Sequence, residues 1–157
     1  MKYEMVLSHA NGYRELGMIK DAIALLKAEL SSEDILKKET CEMKLALYMD
    51  ANNWKEAEKT SRFLKELEPD QSSHWINWAY ATRRKDDVSL ANLILKEAEG
   101  LFPHNATIKY NLGCYACQKG ELELAKGYVK IAIKLDPSVQ KMVNYDDDLK
   151  EIQKFFS

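Results

Sequence analysis

Proline, cysteine and glycine are all scarce in this chain: its 157 residues include three prolines, three cysteines and six glycines. So few cysteines, in an odd number, give no disulfide framework and are expected of a reducing compartment, so the sequence reads as cytoplasmic. No uncharged run approaches the roughly 18 residues that mark a membrane span. The opening MKYEMVLSHANGYREL interleaves charges with apolar positions where a secretory leader would carry an apolar core. No membrane partner is expected. Neither sign of charge dominates, with 23 Lys and Arg against 25 Asp and Glu, so no global electrostatic footprint for nucleic acid exists. A glycine-rich phosphate loop, a Gly-x-Ser-x-Gly elbow and the alternating ligands and glycine turn of a calcium loop are all missing. No cofactor, no metal and no catalysis are expected.

What is present is a hydrophobic fraction of 46%, sufficient for a real core in one domain spanning residues 1–157. The scarce prolines are evenly placed. Pro69, Pro103 and Pro137 lie 34 residues apart, and Ala57, Ala91 and Ala125 keep the same interval. A fixed period in this range marks a stack of equivalent supersecondary units. In ATIKYNLGCYACQKGELELAKGYVKIAIKLDP, Ile108, Leu112 and Tyr115 keep helical spacing up to Gly120. Leu124, Ala125, Tyr128, Val129, Ala132 and Ile133 then resume it. That is a pair of antiparallel helices, ended by Asp136-Pro137 because proline lacks the amide donor and disfavours helical geometry before it.

The pattern resembles the tetratricopeptide repeat (TPR) family, whose 34-residue unit reads W-x-x-L-G-x-x-Y, then A, a large apolar residue, A and P. Leu112, Gly113, Gly120, Ala125, Val129, Ala132 and Pro137 keep that register, while Lys109 and Ala116 stand at the tryptophan and tyrosine places. The preceding unit supplies Trp75, Ala79, Ala91, Leu95, Ala98 and Pro103, with Trp78 in the leucine place. Tyr48, Trp54, Ala57 and Pro69 mark the unit before that, with Leu64 in a small-residue place. Tyr13, Gly17 and Ala22 precede Tyr48, Asn52 and Ala57 by 35 residues, which puts an irregular connection near SSEDILKK. The resemblance implies an all-α fold, a right-handed α-α superhelix or solenoid of hairpins at about 3–37, 38–71, 72–105 and 106–139, with a capping segment at 140–157.

In that closing segment Val139, Met142 and Val143 continue an apolar stripe. Asp146 to Asp148 are placed to cap a short helix carrying Leu149, Ile152, Phe155 and Phe156. A solenoid's last repeat exposes an apolar face, so this helix is expected as a cap. Phe155 and Phe156 also offer a homodimer contact.

Cys114 and Cys117 share one side of a helix, but they sit mid-helix rather than at the helix N-terminus where a dipole would activate a thiol. No second Cys-x-x-Cys or histidine pair completes a zinc set. They read as structural or groove-lining thiols, with thiol redox chemistry as the alternative, and Cys41 as a packing residue. His9, His74 and His104 fall in different units, without a nucleophile at a catalytic spacing. Arg83-Arg84-Lys85, near Trp75, Trp78 and Tyr80, reads as a solvated helix end or a contact for an anionic peptide. An RNA code would need basic groups recurring in every unit.

The first helix of each TPR hairpin lines a concave face, so the resemblance nominates a groove for another protein's peptide or helix. Leu7, Asn11 and Arg14 belong to the first hairpin, and Glu42, Ala46 and Met49 to the second. Ile76, Asn77, Tyr80, Arg83 and Arg84 follow in the third, then Tyr110, Asn111, Cys114 and Cys117 in the fourth. The carboxylate clamp of chaperone-tail binders is not matched. Asn11, Asn77 and Asn111 are present, but Leu7 and Ser73, or Glu42 and Thr107, stand where Lys or Arg is needed. A noncatalytic scaffold or adaptor is therefore the expected function. A stand-alone array of this length is also similar to bacterial secretion chaperones, which is the alternative.

Overall fold

The computed structural model describes residues 1–157 and is all-helical. Four hairpins follow one another: α1 (Tyr3–Glu15) with α2 (Ile19–Glu29), α3 (Lys38–Asp50) with α4 (Trp54–Leu67), α5 (Ser72–Arg84) with α6 (Val88–Leu101), and α7 (Ala106–Gln118) with α8 (Leu122–Leu135). A short α9 (Val139–Val143) and a 3-10 helix (Asp147–Phe155) close the chain. The irregular connection expected near SSEDILKK contains a 3-10 turn at Asp34–Leu36. The chain divides into two compact units, Met1–His74 and Trp75–Ser157.

One turn recurs in every hairpin. Gly17, Asn52, Asp86 and Gly120 all have positive φ, between 54° and 79°. After each, the next amide donates back across five residues: Met18 to the Tyr13 carbonyl, Asn53 to Tyr48, Asp87 to Thr82 and Glu121 to Ala116. This closes the last carbonyls of the first helix in a Schellman-type cap, which favours a residue that tolerates left-handed geometry. Asn53 and Asp87 then cap the second helix, accepting from the Glu56 and Leu90 amides. At the other end α4, α6 and α8 stop at Leu67, Leu101 and Leu135, each two residues before its proline.

In the first unit Val6, Ala10, Ala22, Leu26 and Leu47 form a buried cluster. The second unit's cluster runs from Trp75 and Ala79 through α6, α7 and α8 to Val143, Leu149 and Ile152. The in-phase alanines 57, 91 and 125 are fully buried. At Gly113 an added Cβ would come within 2.9 Å of Val129 Cγ2 and 3.3 Å of the Ala125 carbonyl oxygen. A side chain there would force the pair apart. Leu124, expected on the buried stripe, is instead 48% exposed, and Leu122 packs toward the core in its place.

Candidate functional site

On the first unit, the nominated residues lie along α1 and α3, and their polar groups are engaged with near neighbours. Arg14 Nε donates to Asp50 Oδ2 at 2.6 Å, and its terminal nitrogen donates to Asp50 Oδ1 at 3.4 Å, a two-point pair that raises the guanidinium pKa. Asn11 Nδ2 donates to Glu15 Oε1 at 3.0 Å, and Lys38 lies 3.9 Å from Glu42. Leu7 packs against the buried cluster, while Ala46 and Met49 are half-buried. This surface is polar and paired with itself.

The second unit presents a different surface. Tyr80, Arg83 and Arg84 from the end of α5 meet Asn111, Cys114 and Tyr115 of α7 around a small hollow, whose far wall is Asp146 and Asp148. The register explains the α7 contribution, because positions 111, 114 and 118 are three and four apart and share one side of the helix. Gln118 joins both walls: its carbonyl accepts from Arg83 Nε at 2.5 Å and its amide donates to Asp148. Tyr115 is 4% exposed and its hydroxyl has no hydrogen-bond partner. A buried donor left unsatisfied costs about 1–3 kcal/mol, and this one has essentially no surface open to solvent.

Of the nominated α7 residues, all but Asn111 are covered. Tyr110, Cys114 and Cys117 are 4%, 4% and 6% exposed, where an open groove was expected. The covering element is the closing 3-10 helix, which packs against both α7 and α8. Tyr110 Oη donates to Asp146 Oδ2 at 2.5 Å, and the Cys114 thiol donates to the same oxygen at 3.8 Å. Asp146 Oδ1 caps the 3-10 helix by accepting from the Asp148 amide at 3.0 Å, as the acidic run implied. Ile76 packs on the core and Asn77 is half-buried, so neither adds to the hollow.

These surroundings oppose thiolate chemistry. Burial, reinforced by Asp146 and Asp148, pushes the Cys114 thiol far above its usual pKa, and burial raises Cys117 and Cys41 as well. A redox or nucleophilic cysteine needs the opposite shift. Burial and its bond to Asp146 likewise push Tyr110 upward. Two groups of possible metal ligands converge, Glu42 with Glu68 and His74, and Cys114 with Asp146 and Asp148. Both are occupied by protein donors: Glu68 accepts from His74 at 3.0 Å and from Lys38 at 3.3 Å, and the Asp146 and Asp148 carboxylates are held as described.

Sequence reasoning missed Tyr115, Gln118, Asp146 and Asp148 as residues that build the hollow. Gln118 was within reach, since it lies four residues after Cys114 on the nominated face. Tyr115 fell in the apolar period, and the aspartates lie some 30 residues downstream, joined to α7 only by folding.

No protein-family profile matches the chain, and neither does any curated protein. Solved structures do. One named "MamA MSR-1 C2" superposes with a TM-score of 0.71 at 18% identity, covering 88% of this chain and 79% of that one. Another, "Crystal structure of MamA", gives 0.73 at 20% identity, with coverage of 94% and 89%. No helix is long and apolar enough to cross a membrane. At these identities the likeness concerns the fold alone: this chain has a TPR-type helical-repeat fold of the solenoid class.

Proposed function

We propose that this protein is a noncatalytic interaction module that binds a peptide or helical segment of another protein through its second unit. The contact centres on the hollow between α5 and α7. The observation that carries this reading is the composition of the hollow. An exposed aromatic, Tyr80, lines it together with Arg83, Arg84 and Asn111. Aromatic and arginine side chains are the usual anchors of protein contacts. Peptide carbonyls and side-chain carboxylates accept from the arginine and asparagine side chains on the α5 and α7 sides of the hollow. The raised pKa values of Tyr110 and Cys114 oppose a nucleophilic role for either.

Affinity capture from native extract tests the reading. Wild type is expected to retain a partner that Tyr80→Ala/Arg84→Glu loses, with both proteins equally folded by circular dichroism. Equal retention by the two would remove the hollow from the contact.

A further inference from the structure

The face of α7 displays both a surface and something bound to it. Tyr110, Cys114 and Cys117 recur on one side of the helix, and the segment after Asn144 lies over them. Its tie to α7 has a simple chemical order. A carboxylate comes first, where the Tyr110 hydroxyl and the Cys114 thiol converge on one oxygen of Asp146. Three and six residues later come Leu149 and Ile152, both fully buried. Gln118 holds Asp148 at the edge.

The segment is local in sequence, and its Leu149 and Ile152 join the buried cluster of α6, α7 and α8. Its polar links to α7 run from side chain to side chain at Asp146 and Asp148 and through the Glu151 backbone at Cys117, and its backbone is 3-10, a form with poorer hydrogen-bond geometry than the α-helix. It is led in by Asn144 and Tyr145, both exposed, with Tyr145 87% exposed. Phe155 stays 56% exposed beneath the Lys126 ammonium, 3.4 Å above its ring. The segment resembles a bound peptide on a short tether.

We propose that the α7 face is a docking surface for a segment with an acidic residue followed at the third and sixth positions by apolar ones, and that residues 146–152 are its resident occupant. A partner segment of the same pattern displaces the resident and reaches the hollow and the α7 face together. This deepens the function proposed above and rests on it. A short tether holds its end at an effective concentration of about 1 mM. A partner segment at about 1 μM must therefore bind roughly a thousandfold more tightly than the resident to replace it.

The cysteines beneath the segment report its release without any label. In the unmodified chain, Cys114 and Cys117 are expected to react with a disulfide-exchange reagent at least tenfold faster than the hairpins unfold globally. The full-length variant Leu149→Ser/Ile152→Ser is expected to keep its helical circular dichroism, to expose both thiols at least tenfold faster than wild type, and to bind a fluorescent peptide of residues 144–157. Wild type should bind that peptide at least tenfold more weakly, and a peptide carrying Asp146→Lys should bind neither. Reaction of the thiols only on global unfolding would overturn the proposal. So would loss of the hairpins in the double variant, absence of peptide binding by a folded variant, or equal binding by wild type. A concentration-dependent dimer of the variant would make a second copy the occupant and overturn it too. Because the peptide is supplied directly, its failure leaves the Tyr80→Ala/Arg84→Glu capture result standing.

Discussion

The hairpins α3/α4 and α7/α8 share a period but not a packing solution. Gly113 lets α7 approach α8 until Val129 and the Ala125 carbonyl leave no room for a Cβ. Two periods earlier the same repeat position holds Leu45, which is buried, and the contact between α3 and α4 is the less extensive of the two. The repeat therefore fixes where helices meet and not how closely. A small residue permits near-backbone contact, and a leucine fills the space with side chain instead. The units differ at their surfaces as well. The first presents polar groups paired among themselves, and the second presents a hollow and a face covered by its own chain.

Substitutions at the two equivalent positions test this contrast most strongly. Leu45→Ala should leave a cavity and cost about 2–4 kcal/mol. Gly113→Ala, although it gains helix propensity, should cost about 1–2 kcal/mol net because the methyl has no space. Thermal denaturation measures both, and a Gly113→Ala protein melting at or above the wild-type temperature would refute the close approach. Ala91→Leu, at another fully buried small position, should also lower the melting temperature.

Next in size is Tyr110→Phe, which removes a donor to the Asp146 carboxylate and should cost about 1–2 kcal/mol. Its distinctive readout is faster thiol labelling of Cys114. Unchanged labelling would mean that the bond does not hold the segment.

The recurring turn offers a smaller comparison between units. Gly120→Ala should destabilise by about 1 kcal/mol, because alanine is strained at a φ of 79°. Asn52→Gly and Asp86→Gly, at the same turn, should change stability by less than about 1 kcal/mol and upward, with Asp86 gaining more. A large loss at either site would show that the side chain contributes something beyond the turn.

The smallest effect concerns Asp148, whose carboxyl pKa is raised by partial burial and then by Asp146. A carboxyl raised on folding opposes stability when ionised. The penalty is absent below the ordinary carboxylate pKa of about 4 and complete above the folded value. Asp148→Asn should therefore melt on the order of 1 °C higher at neutral pH, with the difference vanishing near pH 3. A difference that grows on acidification would reverse the assignment.

Much of the fold was legible because its signals are local. Proline ends a helix at its own position, a left-handed residue closes a turn within six residues, and small residues recur where hairpins pack. Even the inserted residue before Tyr48 showed as a shift from 34 to 35. The surface was legible only in part. The register puts Tyr80, Arg83, Arg84 and Asn111 on the first helices, where they line the hollow, but it also puts Tyr110, Cys114 and Cys117 in an open groove, and the closing segment covers them. Periodicity alone puts Leu124 inward, because it cannot distinguish neighbouring leucines at the edge of a helical stripe.

The sequence by itself determined the period, the helix ends and turns, and which side of α7 carries the cysteines, since each follows from backbone sterics and spacing within one repeat. Tertiary structure alone decided that Asp146 meets Tyr110 and Cys114, that Gln118 links Arg83 to Asp148, and that the Tyr115 hydroxyl is left without an acceptor. Those contacts join residues about 30 or more positions apart, and their geometry exists only after the hairpins and the closing segment have packed.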